Sequence, residues 1–159
     1  MKDFIRSKSV ASLFATMPEG FVSIIVAAGP SLDKNINDLK AAKGKALIVS
    51  CDSAVKPLLR AGITPDLIVS VDGKKMAAHM EDEISRHVPL VCSLQSNAVV
   101  LSRHDGIKFF VNDLNQHVQW FLTQKEIILP VTSTGGSVAN TAMSFCQIIG
   151  GKKIILVGQ

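Results

Sequence analysis

A β-branched run that empties into a glycine turn and then a helix constrains this chain more than any other feature. It reads Ile24-Ile25-Val26-Ala27-Ala28-Gly29-Pro30-Ser31-Leu32-Asp33. The apolar run is short and bounded, as for a strand buried on both faces of a parallel sheet. Gly29 lets the backbone turn tightly and leaves no Cβ to hinder a ligand. Pro30 suits a first helical position, where its missing N–H costs nothing. Ser31 and Asp33 are able to cap the helix start. Such a start aims free N–H groups at the strand exit, the geometry of an anion site; the same residues also serve as a plain strand-to-helix turn.

The rest of the chain repeats this alternation. A lead-in over 1–20 carries Val10, Leu13 and Phe14 as a short amphipathic turn, broken by Pro18-Glu19-Gly20. The first strand follows over about 21–27. Leu32, Ile36 and Leu39 fall on one helix face, which stops near Lys43-Gly44. Ala46 to Cys51 reads as a second strand, then Asp52-Ser53 and a helix with Val55, Leu58 and Leu59 inward and Pro57 in its first turn. Leu67 to Val71 is a third strand ending on Asp72-Gly73, and Met76, Met80 and Ile84 form the core side of the next helix. Strands follow at Pro89–Cys92 and Ile107–Val111, with a short helix possible within 95–106. Asn112 or Asp113 caps a helix that turns Leu114, Val118 and Phe121 inward. Ile127-Ile128-Leu129 is a short strand or a buried loop. Val138, Ala142, Phe145 and Ile149 align on a final helix, and Ile154 to Val157 is the last strand.

Strands alternating with helices specify an α/β fold with a mostly parallel sheet and helices on both faces, a three-layer αβα arrangement. Ligands on such sheets bind beyond the carboxyl ends of the strands. That rule gathers Gly29, Pro30 and Ser31, Asp52 and Ser53, Asp72, and Thr134, Gly135, Gly136 and Ser137 on one rim. Asp52 lies 23 residues after Gly29, where an acid commonly accepts hydrogen bonds from a ribose or simply caps a helix. Asp72 has the position of a carboxylate that holds Mg²⁺ between phosphates, or again of a cap. Thr134 to Ser137 offers hydroxyls and unhindered N–H groups to a phosphate or carboxylate, without the lysine of a P-loop. His79, His87, His104 and His117 have no motif around them and read as ordinary histidines, so the sequence assigns no general base.

Composition narrows the function. With 159 residues, 47% hydrophobic and 19% charged, the chain is one folded domain or part of one. The net charge of +4 comes from scattered Lys and Arg, which suits a small anion and not nucleic acid. Absence of Tyr and a single Trp leave no aromatic platform for single strands. A lone glycine in the first turn departs from the G-x-G-x-x-G of dinucleotide dehydrogenases. Cys51, Cys92 and Cys146 sit in apolar segments and read as buried thiols in a reducing compartment. No stretch is long enough for a membrane span or reads as a signal core, so a cytoplasmic location is expected.

The ordered motifs Gly29-Pro30-Ser31-Leu32-Asp33, Ile63-Thr64-Pro65-Asp66 with Val69-Ser70-Val71-Asp72, Gly135-Gly136-Ser137-Val138-Ala139 and Ile155-Leu156-Val157-Gly158-Gln159 resemble the motility accessory factor (Maf) family. That family shares its Rossmann-like domain with 6-hydroxymethylpterin diphosphokinases of the MptE group. The resemblance runs from about residue 10 to the end. It implies a glycosyltransferase that moves a nonulosonic, sialic-acid-like sugar from a CMP donor to Ser or Thr of flagellin. The Gly-Pro-Ser turn is similar to the donor-nucleotide loop of bacterial sialyltransferases of the Cst type. By that similarity Gly29, Pro30 and Ser31 face the CMP phosphate or ribose, and Gly135, Gly136 and Ser137 complete the donor pocket. The diphosphokinase relatives imply instead diphosphate transfer from ATP, with Mg²⁺ on Asp72; a third possibility is a non-catalytic binding domain. Ala27 stands where relatives often have glycine. The family domain usually continues after Gly-Gln, so the chain reads as a domain truncated at its C-terminus.

Overall fold

The computed structural model describes residues 10–15, 17–74, 82–132 and 136–159. Helix α1 (Val10–Phe14) is followed by β1 (Val22–Val26), α2 (Leu32–Ala42), β2 (Leu47–Cys51) and a 3₁₀ turn (Asp52–Ala54). Next come α3 (Val55–Arg60), β3 (Leu67–Ser70), α4 (Glu83–His87), β4 (Leu90–Ser93) and α5 (Ala98–Arg103). The described chain ends with β5 (Lys108–Val111), α6 (Gln116–Gln124), α7 (Val138–Ile148) and β6 (Lys153–Val157).

The six strands form one sheet in the order β5-β4-β3-β2-β1-β6, and every neighbouring pair is parallel. Burial explains the parallel choice. In β3, β4 and β5 all four residues are buried, so no face is left for water. Successive side chains alternate between the two faces. Ile25, Val49, Val69, Val91 and Phe109 pack with Val10 of α1 and with Ala142, Phe145, Cys146 and Ile149 at α7. Ile24, Val26 and Ile48 face α2 and α3 on the other side, through Leu32, Leu39 and Leu58. Ile68, Leu90, Cys92 and Phe110 extend that layer beneath Val55 and Val100. The result is the Rossmann-like three-layer fold. Within it β6 is an edge strand, with Ile155 and Leu156 exposed to 40% and 49%.

Several local expectations need correction. Pro30 is not the first helical residue: α2 begins at Leu32, after a turn closed by the Leu32 N–H donating to the Gly29 carbonyl at 2.9 Å. Ser31 occupies the cap position but makes no capping bond, because its hydroxyl donates to the Gln159 carbonyl at 3.3 Å. The helix after β5 starts later than expected and is capped by Asn115, not by Asn112 or Asp113. Asn112 instead accepts the Leu114 N–H in a tight turn that puts Leu114 at φ 61°. Leu114 and Phe121 therefore point outward and Leu122 is the buried residue of α6. Ile84 is likewise 54% exposed, because the described helix there is a short one capped by Asp82. Met76 and Met80 lie outside the described residues. Residues 127–129 form a loop, with one isolated bridge at Val131.

Candidate functional site

An all-parallel sheet places the exits of all six strands on one rim, so the expected gathering of loops occurs. Across that rim the order is Asp113 beyond β5, Gln95 beyond β4, Asp72 beyond β3, Asp52-Ser53 beyond β2, the Gly29 turn beyond β1, and Gly158-Gln159 beyond β6. The rim is not one continuous site. It divides into a closed end and an open end.

The closed end lies over β1 and β6. The Ala27 N–H donates to the Val157 carbonyl at 2.9 Å and the Gly29 N–H to the Gly158 carbonyl at 2.7 Å. A Cβ on Gly29 would lie 2.6 Å from the Gly158 oxygen, so the space freed by this glycine is taken up by the chain itself. Gly158 has φ 70°, and a Cβ there would run into the Ala27 carbonyl. Beside them, Asp52 is buried. It accepts the Ser53 N–H at 2.7 Å and the Ser70 hydroxyl at 3.4 Å, which makes it a brace between the ends of β2 and β3.

The open end is a cavity of about 320 Å³ above β3, β4 and β5, facing the start of α7. Val71, Asp72, Gln95, Asp113, Leu114, Asn115, Gly136, Ser137, Val138 and Thr141 line it. Of the residues expected from the sequence, Asp72, Gly136 and Ser137 are brought together here. Gly29, Pro30, Ser31, Asp52 and Ser53 are not in its lining. Thr134 and Gly135 lie outside the described residues.

Each wall is fixed by local chemistry. Ser96 ties the β4 exit down: its hydroxyl donates to the Ser70 carbonyl at 2.7 Å and accepts the Ser93 N–H at 2.9 Å. The Ser93 hydroxyl in turn accepts the Gln95 N–H at 3.1 Å. Gly73 lets the Gln95 carbonyl come so near that a Cβ would collide with it. The Gln95 side chain is held at both ends, donating to Asp113 Oδ2 at 2.7 Å and accepting from Asn115 Nδ2 at 3.1 Å. Asn115 also caps α6, accepting the His117 and Val118 N–H groups. Asp72 accepts the Lys74 N–H at 2.8 Å.

The opposite wall is the start of α7. Gly136, at φ 78°, turns the chain into the helix, and the Ser137 hydroxyl accepts the Ala139 N–H at 3.2 Å. The Asn140 and Thr141 N–H groups donate to the Ser137 carbonyl at 3.1 and 3.3 Å, and the helix dipole adds partial positive charge at this end. Thr141, one turn further in, is fully buried, and its hydroxyl has no hydrogen-bond partner among the described residues.

Gln95, Asp113, Asn115 and Thr141 were not singled out from the sequence as binding residues. A usable signal existed for two of them: Gln95 and Asp113 follow β4 and β5 just as Asp72 follows β3. Of the histidines, His104 is buried beneath α4 and α5, away from this cavity; His79 lies outside the described residues. Burial first, and then the Lys108 charge, hold the His104 imidazole down to about 4, against weaker opposing pulls from the Val88 backbone and Asp105. Burial pushes the Cys146 thiol up to about 11. No helix among the described residues is long and apolar enough to cross a membrane.

The fold is shared with a solved protein, the Maf glycosyltransferase from Magnetospirillum magneticum AMB-1, at a TM-score of 0.77 and 23% identity. The match covers 90% of this chain and 23% of that one, so the chain corresponds to under a quarter of that protein's length. A search of the curated proteins finds no match. The family model described as 6-hydroxymethylpterin diphosphokinase MptE-like matches residues 1–159. The chain therefore belongs to the MptE-like family, as the motif resemblance implied.

Proposed function

We propose that this chain is the nucleotide-sugar-binding domain of a glycosyltransferase. In this reading a nonulosonic sugar moves from a CMP donor to a Ser or Thr hydroxyl of flagellin. The observation that carries it is the cavity itself: a concave polar site at the strand exits, closed on one side by the amino end of an 11-residue helix. Likeness of the fold to a protein described as a Maf glycosyltransferase supports the reading.

The chemistry asked of the site is modest. A CMP leaving group carries its negative charge on phosphate, and the positive end of the α7 dipole, with the Val138 N–H, is placed to stabilise it. An acceptor hydroxyl needs a base as it attacks. Asp72, fixed by the Lys74 N–H through one oxygen only, is the group of this cavity suited to take that proton.

The family's name favours a second reading, diphosphate transfer from ATP with Mg²⁺. Magnesium is ordinarily held by one or two carboxylates together with substrate phosphates. In that reading Asp72 and Asp113, which line the cavity together, would hold it; the N–H groups they already accept leave lone pairs for an ion.

Thermal unfolding with CMP, CMP-sialic acid and ATP, with and without Mg²⁺, separates the readings. Ligand at 100 times its dissociation constant adds about 2.7 kcal/mol, or roughly 5–10 °C for a domain of this size. Stabilisation by CMP that survives EDTA supports the glycosyltransferase reading. Stabilisation by ATP alone, lost with EDTA or in Asp72→Asn, supports the diphosphokinase. A non-catalytic domain that recognises only protein responds to neither.

A further inference from the structure

The described lining of the cavity has two unlike poles. On one side stand Asp113, Gln95 and Asn115, with Asp72 beside them. On the other stand the first turn of α7 and the Thr141 hydroxyl. The two carboxylates are the only charged side chains of this described lining. A phosphate pushed against them would be repelled, with no cationic side chain in the described lining to offset it. The anionic part of a ligand therefore belongs at the start of α7, where the helix dipole is positive; the Ala139, Asn140 and Thr141 N–H groups donate to Ser137, which leaves the dipole and the Val138 N–H for it.

Thr141 gives this pole independent weight. A buried hydroxyl without a partner costs free energy and ordinarily finds one. Thr141 is completely buried, lines the cavity and has none among the described residues. An oxygen of a bound anion would satisfy it.

The acidic pole asks for donors. Ionised carboxylates only accept hydrogen bonds. The carboxylate of Asp113 is oriented by Gln95, and Gln95 is fixed in turn by Asn115, which caps a helix. A chain of this kind holds the carboxylate still, with acceptor capacity left over for vicinal hydroxyls. Asp52 was the acid expected to meet a ribose, and its burial as a brace leaves that task to Asp113, three strands away in the sheet.

We infer that the cavity takes a ribonucleoside monophosphate in one direction, with its phosphate on the α7 start and Thr141 and its ribose diol on Asp113, oriented by Gln95. This rests on the nucleotide-binding reading above but not on the base being cytosine. Nothing in the lining is asked to read the base.

Calorimetric titration of the whole chain tests it with CMP, UMP, AMP and GMP, with 2′-deoxy-CMP and cytidine, and with free N-acetylneuraminic acid. The expected result is at least tenfold weaker binding of 2′-deoxy-CMP than CMP, because a site built to bond a hydroxyl rejects the analogue lacking it. Asp113→Asn or Gln95→Leu should shrink that ratio to within about twofold. Thr141→Val should weaken CMP several-fold and leave cytidine unchanged, with Thr141→Ser restoring CMP. The wild-type ratios stand as tests even if a variant fails to fold. Equal binding of CMP and 2′-deoxy-CMP would overturn the inference while leaving CMP binding intact. Binding of another ribonucleotide with the same dependence would keep it and overturn the CMP reading. Failure of all four ribonucleotides, or binding of the free sugar acid with these same dependences, would overturn the orientation proposed here.

Discussion

Gly73 gives up its side-chain space to the carbonyl oxygen of Gln95. The contact joins the β3 exit, which carries Asp72, to the β4 exit, which carries the hydrogen-bonded Gln95. A methyl group at residue 73 must push backbone aside, and backbone does not yield cheaply. Gly73→Ala is therefore expected to lose about 1–3 kcal/mol of stability. It should also weaken nucleotide binding, because Gln95 would leave Asp113. Chemical denaturation and calorimetry on the same preparation check both effects; a variant as stable as wild type would show that the loops have slack.

The second tight glycine pair is expected to act on stability. Gly29 and Gly158 close the rim over β1 and β6 through backbone hydrogen bonds. Gly29→Ala is expected to destabilise by about 1–3 kcal/mol, lowering the melting temperature by several degrees. Affinity for CMP, measured where the variant remains folded, should stay within about twofold. A large loss of affinity with little loss of stability would return the Gly-Pro-Ser turn to the ligand site.

His104 sets a pH dependence. Its folded value of about 4 lies below the ordinary 6.5, so the unfolded chain binds more protons between those values. Its contribution is complete above pH 6.5 and is lost as the pH falls towards 4, a change on the order of 3 kcal/mol. Lys108 and His87 oppose protonation, while Asp105 favours it. Urea unfolding from pH 4 to 7 should show this rise, and His104→Leu should flatten it. An equally steep rise in the variant would assign the effect to other groups.

The Ser137 cap links stability to the site. Ser137→Ala leaves the Ala139 N–H without its acceptor and should cost about 1 kcal/mol. Thermal unfolding checks this directly. No change would mean that water replaces the hydroxyl there.

The sequence displayed the alternation of buried strands and helices clearly, because a parallel sheet needs runs such as Leu67-Ile68-Val69 that are apolar on both faces. Its rim also followed, since each polar residue that ends an apolar run must sit at a strand exit. Division of that rim did not follow. Whether Gly29 opens space for a ligand or for Gly158 depends on a contact 129 residues away along the chain. Asp52 and Asp113 both follow strands, and only packing decides that Ser70 and the Ser53 N–H occupy the first while Gln95 presents the second. The Leu114 error had a local cause: an Asn112 turn at positive φ delays the helix, and apolar spacing alone cannot show it.

The most direct measurement is an amide-resolved NMR titration of the chain with CMP in the presence of EDTA. The site described above predicts that shifts concentrate at Asp72, Gln95, Asp113, Val138 and Thr141, around the cavity. Shifts concentrated instead at Gly29, Ser31 and Asp52, or no shifts with any ribonucleotide, would contradict it.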